Sequence, residues 1–236
     1  MCIRDRYLVI MTGFSGNGYF RPTESFLLFS ILTALQMGLV LFMAPALSAG
    51  AISTEREKQT LNILLTTTQS STQIIIGKLL SSIAFLLLIL ISSLPVYSVI
   101  FLFGGISPMQ LILVFLFYIF TVFCIGSVGL LFSTITNKTV VSMISTYAVT
   151  IFLSLFTFIF YIASFAGENG QSAFWSKFWL SLNPFAVVIS ILSPDLNTLS
   201  VNGEVWSLPL WVIYICVYAV IAVLCIYVAI KKLRPR

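Results

Sequence analysis

Four charged residues stand side by side at Glu55-Arg56-Glu57-Lys58, in a chain of 236 residues of which only 8% are charged. Such a cluster can move a proton, pair ions or dock a charged partner. The catalytic options thin out quickly. The chain has no His, which removes His-ligated metals, Ser-His nucleophiles and the H-E-x-x-H zinc helix. Cys2, Cys124, Cys216 and Cys225 lack C-x-x-C spacing, and the last three fall in apolar runs, where a thiol packs as a small apolar group. Gly77-Lys78 in IIIGKLLSS lacks the first Gly and the closing Ser/Thr of a phosphate loop. No catalytic residue, metal site or cofactor of its own is expected. If the protein drives active transport, the energy comes from a partner.

The elements that carry this cluster are read from hydropathy. Hydrophobic residues make up 59% of the chain and mean hydropathy is +1.09, which is membrane composition. A spanning helix needs about 20 apolar residues. Five runs are long enough: Phe26 to Leu47, Leu79 to Phe103 with Ile74 to Lys78 as its polar-tinged approach, Leu111 to Phe132, Val140 to Phe165, and Leu208 to Ile230. None alternates as a barrel strand would. The expected fold is all-α, a polytopic helical membrane protein. Pro45 and Pro95 lie in the first two runs and should kink them, as static bends or as flexing points. The small-xxx-small pairs Ala46/Gly50 and Gly129/Ser133 read first as intramolecular packing.

Lys and Arg concentrate on the cytoplasmic side of membrane proteins. Arg56, Lys58, Lys78, Lys138, Lys231, Lys232, Arg234 and Arg236 fall on one side of the five runs, against Arg21 and Lys177 on the other. The charged loop and the C-terminus are therefore expected in the cytoplasm, and Asn137-Lys138-Thr139, although a glycosylation sequon, with them. The net charge of +5 follows from this rule and gives no reason to expect nucleic acid. The core runs contain no Asp, Glu, Lys or Arg, which disfavours an ion-coupled carrier.

Five spans with a cytoplasmic C-terminus leave the N-terminus outside, with nothing before Tyr7 to carry it there. A sixth, upstream helix is expected. Residues 1–6, MCIRDR, are encoded by ATG TGT ATA AGA GAC AGR in one reading, a match to a transposon end tag of sequencing libraries, and are expected to be non-native. The remaining division is an outer segment at 7–25 and a transmembrane domain at 26–236, with a cytoplasmic loop at 51–73 and a second outer segment at 166–207. In that segment Trp175, Phe178, Trp179 and Leu182 have helical spacing, and Asn183-Pro184 turns into an apolar stretch too short to span. Two short interfacial or re-entrant helices are expected, serving as an aromatic anchor.

Thr54-Glu55-Arg56-Glu57 fits a capping box, with Thr54 as N-cap and Glu57 reaching back to it. Leu61, Leu64 and Leu65 continue at helical spacing, giving a short amphipathic helix. Such a helix can lie in the headgroup layer or fill a groove in a soluble partner. Resemblance favours the partner. ISTEREKQTLNILLTT followed by IIIGKLL is similar to the cytoplasmic loop of type 2 ABC transporter permeases: Glu-Arg-Glu, two variable residues, Thr-Leu, then Leu-Leu-Thr. GNGYFRP, APALSAGAIS and NPFAVV extend the likeness more loosely, from about Gly13 to Arg236. Asn62, at a place often acidic, and Thr68, where Pro is common, depart from the pattern.

The resemblance implies six spans with both ends in the cytoplasm, an outer gate at 166–207 as the alternative to an aromatic anchor, and a coupling helix at Thr54 to Leu65 seated on a separate ABC ATP-binding subunit. Glu55, Arg56 and Glu57 would make its polar contacts, with Thr60, Leu61 and Leu64 as packing anchors. ATP and Mg would be bound by that subunit, so the chain is no enzyme by itself. A second permease copy or a sibling permease, in a bacterial plasma membrane, would complete an exporter. An ion-coupled carrier or channel, and a scaffold recruiting a cytoplasmic partner, are the alternatives.

Overall fold

The computed structural model describes residues 22–60, 70–102, 107–165, 178–192 and 209–233. Among them there is no strand. Helix α1 spans Pro22–Ala49, α2 Ser53–Glu57, α3 Ser71–Leu102, α4 Pro108–Ile135, α5 Thr139–Phe165, α6 Pro184–Leu192 and α7 Leu210–Leu233. Five of these segments are long and apolar enough to cross a membrane, and they coincide with the five expected runs. The fold is all-α and polytopic.

Local chemistry sets several ends. Helix α3 starts at Ser71, well before the apolar run at Leu79, because Ser70 and Gln73 cap one another. The Gln73 amide donates to Ser70 Oγ at 3.3 Å and the Ser70 amide to Gln73 Oε1 at 3.0 Å. Ser107 and Gln110 repeat the device ahead of α4, with Pro108 at the first helical position. Asn183 caps α6 by accepting the Phe185 amide at 3.0 Å, and Pro184 follows it. Helices α1 and α3 run unbroken through Pro45 and Pro95.

Helix α4 is the hub, packed against α1, α3, α5, α6 and α7. Contacts fix the directions. Tyr118 donates to the Thr33 carbonyl at 2.8 Å and Ser133 bonds the Ile52 amide, so α1 and α4 are parallel. Leu113 and Leu116 line one cleft with Trp211 and Ile215, and Cys124 and Val128 line another with Tyr218 and Ile221, which makes α7 parallel to them. Tyr97 packs edge-on to Phe115 while Gly126 faces Ile83, so α3 runs the other way. So does α5, through Tyr147 on the Phe42 carbonyl and Met143 beside Gly50.

The closest approach is at Gly129. A Cβ there would fall 1.9 Å from Ser48 Oγ, 2.9 Å from Ser48 Cβ and 3.2 Å from the Ala49 nitrogen. Only Gly lets α1 and α4 meet this way, so the Gly129/Ser133 pair is an intramolecular contact. Gly50 is less constrained, since an added Cβ would find ordinary contacts at 3.4 and 3.6 Å. With these directions, the six described basic residues, Arg56, Lys58, Lys78, Lys138, Lys231 and Lys232, all lie at the end of the bundle that carries α2.

Candidate functional site

After α1 the chain turns once and resumes a helix for five residues, Ser53–Glu57. The roots of this helix are sealed in the protein: Ile52 and Ser53 are fully buried. Burial leaves their amides in need of acceptors, and both find the same one. Ser133 Oγ, on α4, accepts from the Ile52 and Ser53 N–H groups at 2.9 Å each. The Ser53 hydroxyl donates back to the Ala49 carbonyl at 2.9 Å.

The capping box expected at Thr54 and Glu57 therefore does not form. The helix begins one residue before Thr54, its N-cap position is Ile52 without a side-chain cap, and Glu57 is engaged elsewhere. A hydroxyl from a distant helix instead holds the two amides just ahead of Thr54. The helix also ends early. The Gln59 N–H reaches the Arg56 carbonyl at 3.1 Å and the Thr60 N–H reaches the Glu55 carbonyl at 3.0 Å, with Gln59 at φ 56°. This pairing is a Schellman closure with Gln59 in the left-handed position. A single helix from Thr54 to Leu65 is excluded by that turn, and Leu61, Leu64 and Leu65, with Asn62 and Thr68, lie outside the described residues.

Glu55, Arg56 and Glu57 each grip a different element. Glu55 pairs with Lys78 in the second turn of α3, side chains 24% and 35% exposed respectively. Arg56 Nη1 donates to Asn137 Oδ1 at 2.9 Å, in the turn between α4 and α5. Thr139 Oγ1, at the start of α5, donates to Glu57 Oε2 at 2.6 Å. Thr60 is exposed, and its hydroxyl reaches the Glu55 carbonyl at 3.2 Å. Glu57, Lys58, Gln59 and Thr60 form the exposed tip. Sequence reading assigned roles to Glu55, Arg56, Glu57 and Thr60 but missed Ser133, Asn137 and Thr139. About 80 residues separate each of these from its partner, and no local spacing reports a contact of that reach.

The sequence family described as ABC-2 family transporter protein matches residues 8–232. The chain belongs to the ABC-2 transporter family. The comparison with curated proteins returned no match. As an ABC transporter permease, the chain is an integral, multi-pass membrane component of a transport system.

Two clefts indent the flanks of the permease. One, of about 260 Å³, lies between α1, α5 and α6, over Gly38, Phe42, Tyr147, Thr150, Ser154 and Phe185. The other, of about 220 Å³, is walled by apolar and aromatic side chains from α4, α6 and α7, among them Phe117, Phe120 and Trp211. The first carries hydroxyls. Its Tyr147 donates to the Phe42 carbonyl at 2.7 Å, in the turn of α1 just before Pro45.

At the opposite end from α2, residues 178–182 are helical and Trp179 packs on Phe156 and Phe160 of α5, ring centroids 5.8 and 4.7 Å apart. This aromatic group and the nine-residue α6 account for the described part of the expected outer segment. Trp175 and residues 193–207 lie outside it, as do residues 1–21.

Proposed function

We propose that the permease is the membrane half of an ATP-driven exporter, and that the α2 tip is where a separate ABC ATP-binding subunit docks. One observation carries this reading. The exposed tip Glu57-Lys58-Gln59-Thr60 projects from a root that is fully buried and bonded to α4. A push on the tip therefore reaches the bundle without being absorbed by a loose loop.

Charge supports the orientation. All six described basic residues share the α2 end, which the positive-inside rule assigns to the cytoplasm, where ATP is available. ATP and Mg²⁺ would be held by the docked subunit, and a second copy or a sibling permease would complete the pathway in a bacterial plasma membrane. The hydroxyl-bearing cleft between α1 and α5 is a candidate surface for substrate passage.

The test is co-purification from cells expressing the permease with the ABC ATPase of an adjacent gene, followed by reconstitution in liposomes. Lys58→Glu reverses an exposed charge that makes no described side-chain bond, and should lower ATPase retention at least tenfold. Glu57→Ala removes both an exposed carboxylate and the acceptor of Thr139, so it should reduce docking and transmission together. Equal retention by the wild type and Lys58→Glu would overturn the assignment. Retention without ATP-dependent movement of any substrate would favour a scaffold instead.

A further inference from the structure

We propose that α5 is the helix driven by α2, and that Thr139 and Asn137 are the positioning residues that transmit the movement. The inference rests on the docking role proposed for the tip and adds the route that force takes into the membrane.

Three observations converge. First, two of the three charged grips of α2 end on the α4–α5 turn or the first turn of α5: Arg56 on Asn137 at 2.9 Å and Glu57 on Thr139 at 2.6 Å. The Glu57 carboxylate also sits at the positive end of the α5 dipole, where a negative charge is favoured. A displacement of the tip pulls directly on that helix end.

Second, α5 is loosely held along its length. Only 11% of its apolar window is buried, the lowest share of the five spanning helices. Third, its inward side is a file of hydroxyls at Ser142, Thr146, Thr150, Ser154 and Thr157. The last four donate to carbonyls of α5 itself, at 2.7 to 3.0 Å. Their hydrogen bonds travel with the helix, so sliding or tilting α5 leaves those four unbroken. Side-chain bonds from α5 to other elements include Thr139 to α2, Tyr147 to α1, and the Asn183 side chain donating to the Ser154 carbonyl. Helix α4 has the opposite character, since Gly129 locks it against α1.

Hydrogen exchange on the permease with its ATPase bound, with and without ATP and vanadate, tests the route. In the wild type the nucleotide should change exchange of α5 amides at least threefold while leaving α4 unchanged. Thr139→Val should retain the ATPase at wild-type stoichiometry yet lose most of the α5 change, and Thr139→Ser should restore it. Asn137→Ala, at an exposed turn, gives the same readout without touching a helix and should weaken the response by about half.

A full α5 response in both Thr139→Val and Asn137→Ala would overturn the proposal. A nucleotide response confined to α3, reached through the Glu55–Lys78 pair, would do so as well. Failure of the wild-type permease to retain any ATPase would instead remove the docking role on which the route depends.

Discussion

Helices α4 and α5 are adjacent, antiparallel, 28 and 27 residues long, and both strongly apolar. Yet 56% of the apolar window of α4 is buried and only 11% of that of α5. Lipid tails are as apolar as leucine, so hydropathy cannot decide which helix becomes the hub. Small residues decide it. Gly126, Ser127, Gly129 and Ser133 are all buried on α4, where they let neighbouring backbones approach. Helix α5 instead presents Ile144, Ile151, Phe152 and Ile159 outward, each more than half exposed.

The contrast extends to Ser133, although Thr121, Ser127 and Thr134 of α4 bond their own helix as the α5 threonines do. Ser133 of α4 spends its oxygen on another element, holding two amides of the α1–α2 junction. Thr146 and Thr150 of α5 spend theirs on their own helix. One helix is an anchor. The other is a strut that carries the hydrogen bonds of Thr146, Thr150, Ser154 and Thr157 with it.

Substitutions can break or sharpen this difference. Gly129→Val should have the largest effect, because even the first carbon of the new side chain collides with Ser48 and the Ala49 backbone. Forcing α1 and α4 apart should cost about 3 kcal/mol, read as a loss of thermal stability in detergent and reduced monodisperse yield. Ser133→Ala should come next. It leaves the buried Ile52 and Ser53 amides without their shared acceptor, at about 2 kcal/mol, with faster hydrogen exchange confined to 50–57. Thr150→Val should change stability by no more than about 0.5 kcal/mol, because the hydroxyl it removes bonds only within α5. An unfolding midpoint for Thr150→Val as low as that of Ser133→Ala would erase the distinction between anchor and strut.

The spans were legible from the sequence because apolar length alone specifies them. The membrane class, the five helices and the gathering of basic residues at one end all followed from hydropathy and charge. The local detail of the site was not legible, for two physical reasons. The Thr54-x-x-Glu57 pattern is a valid capping signature, but the helix starts one residue earlier and the Thr54 amide it would serve is already held by the Gly50 carbonyl at 3.2 Å. The same signature does form at Ser70-x-x-Gln73 and Ser107-x-x-Gln110, where no distant group competes. The stop at Gln59 was hidden because Gln rarely takes a left-handed conformation. The sequon Asn137-Lys138-Thr139 drew notice for its spacing, although its place in the site comes from the side chains of Asn137 and Thr139 reaching back to α2.

The bond from Ser133 to the Ile52 amide joins residues 81 positions apart, and this has a consequence for synthesis. A ribosome adds about 5–20 residues per second, so the Ile52 and Ser53 amides wait about 4 to 16 s before their acceptor is even made. Until α4 has been inserted, the tip has no fixed root, and a nascent or prematurely terminated chain cannot display it in working form. The permease thus withholds the surface proposed for docking until its own hub is in place.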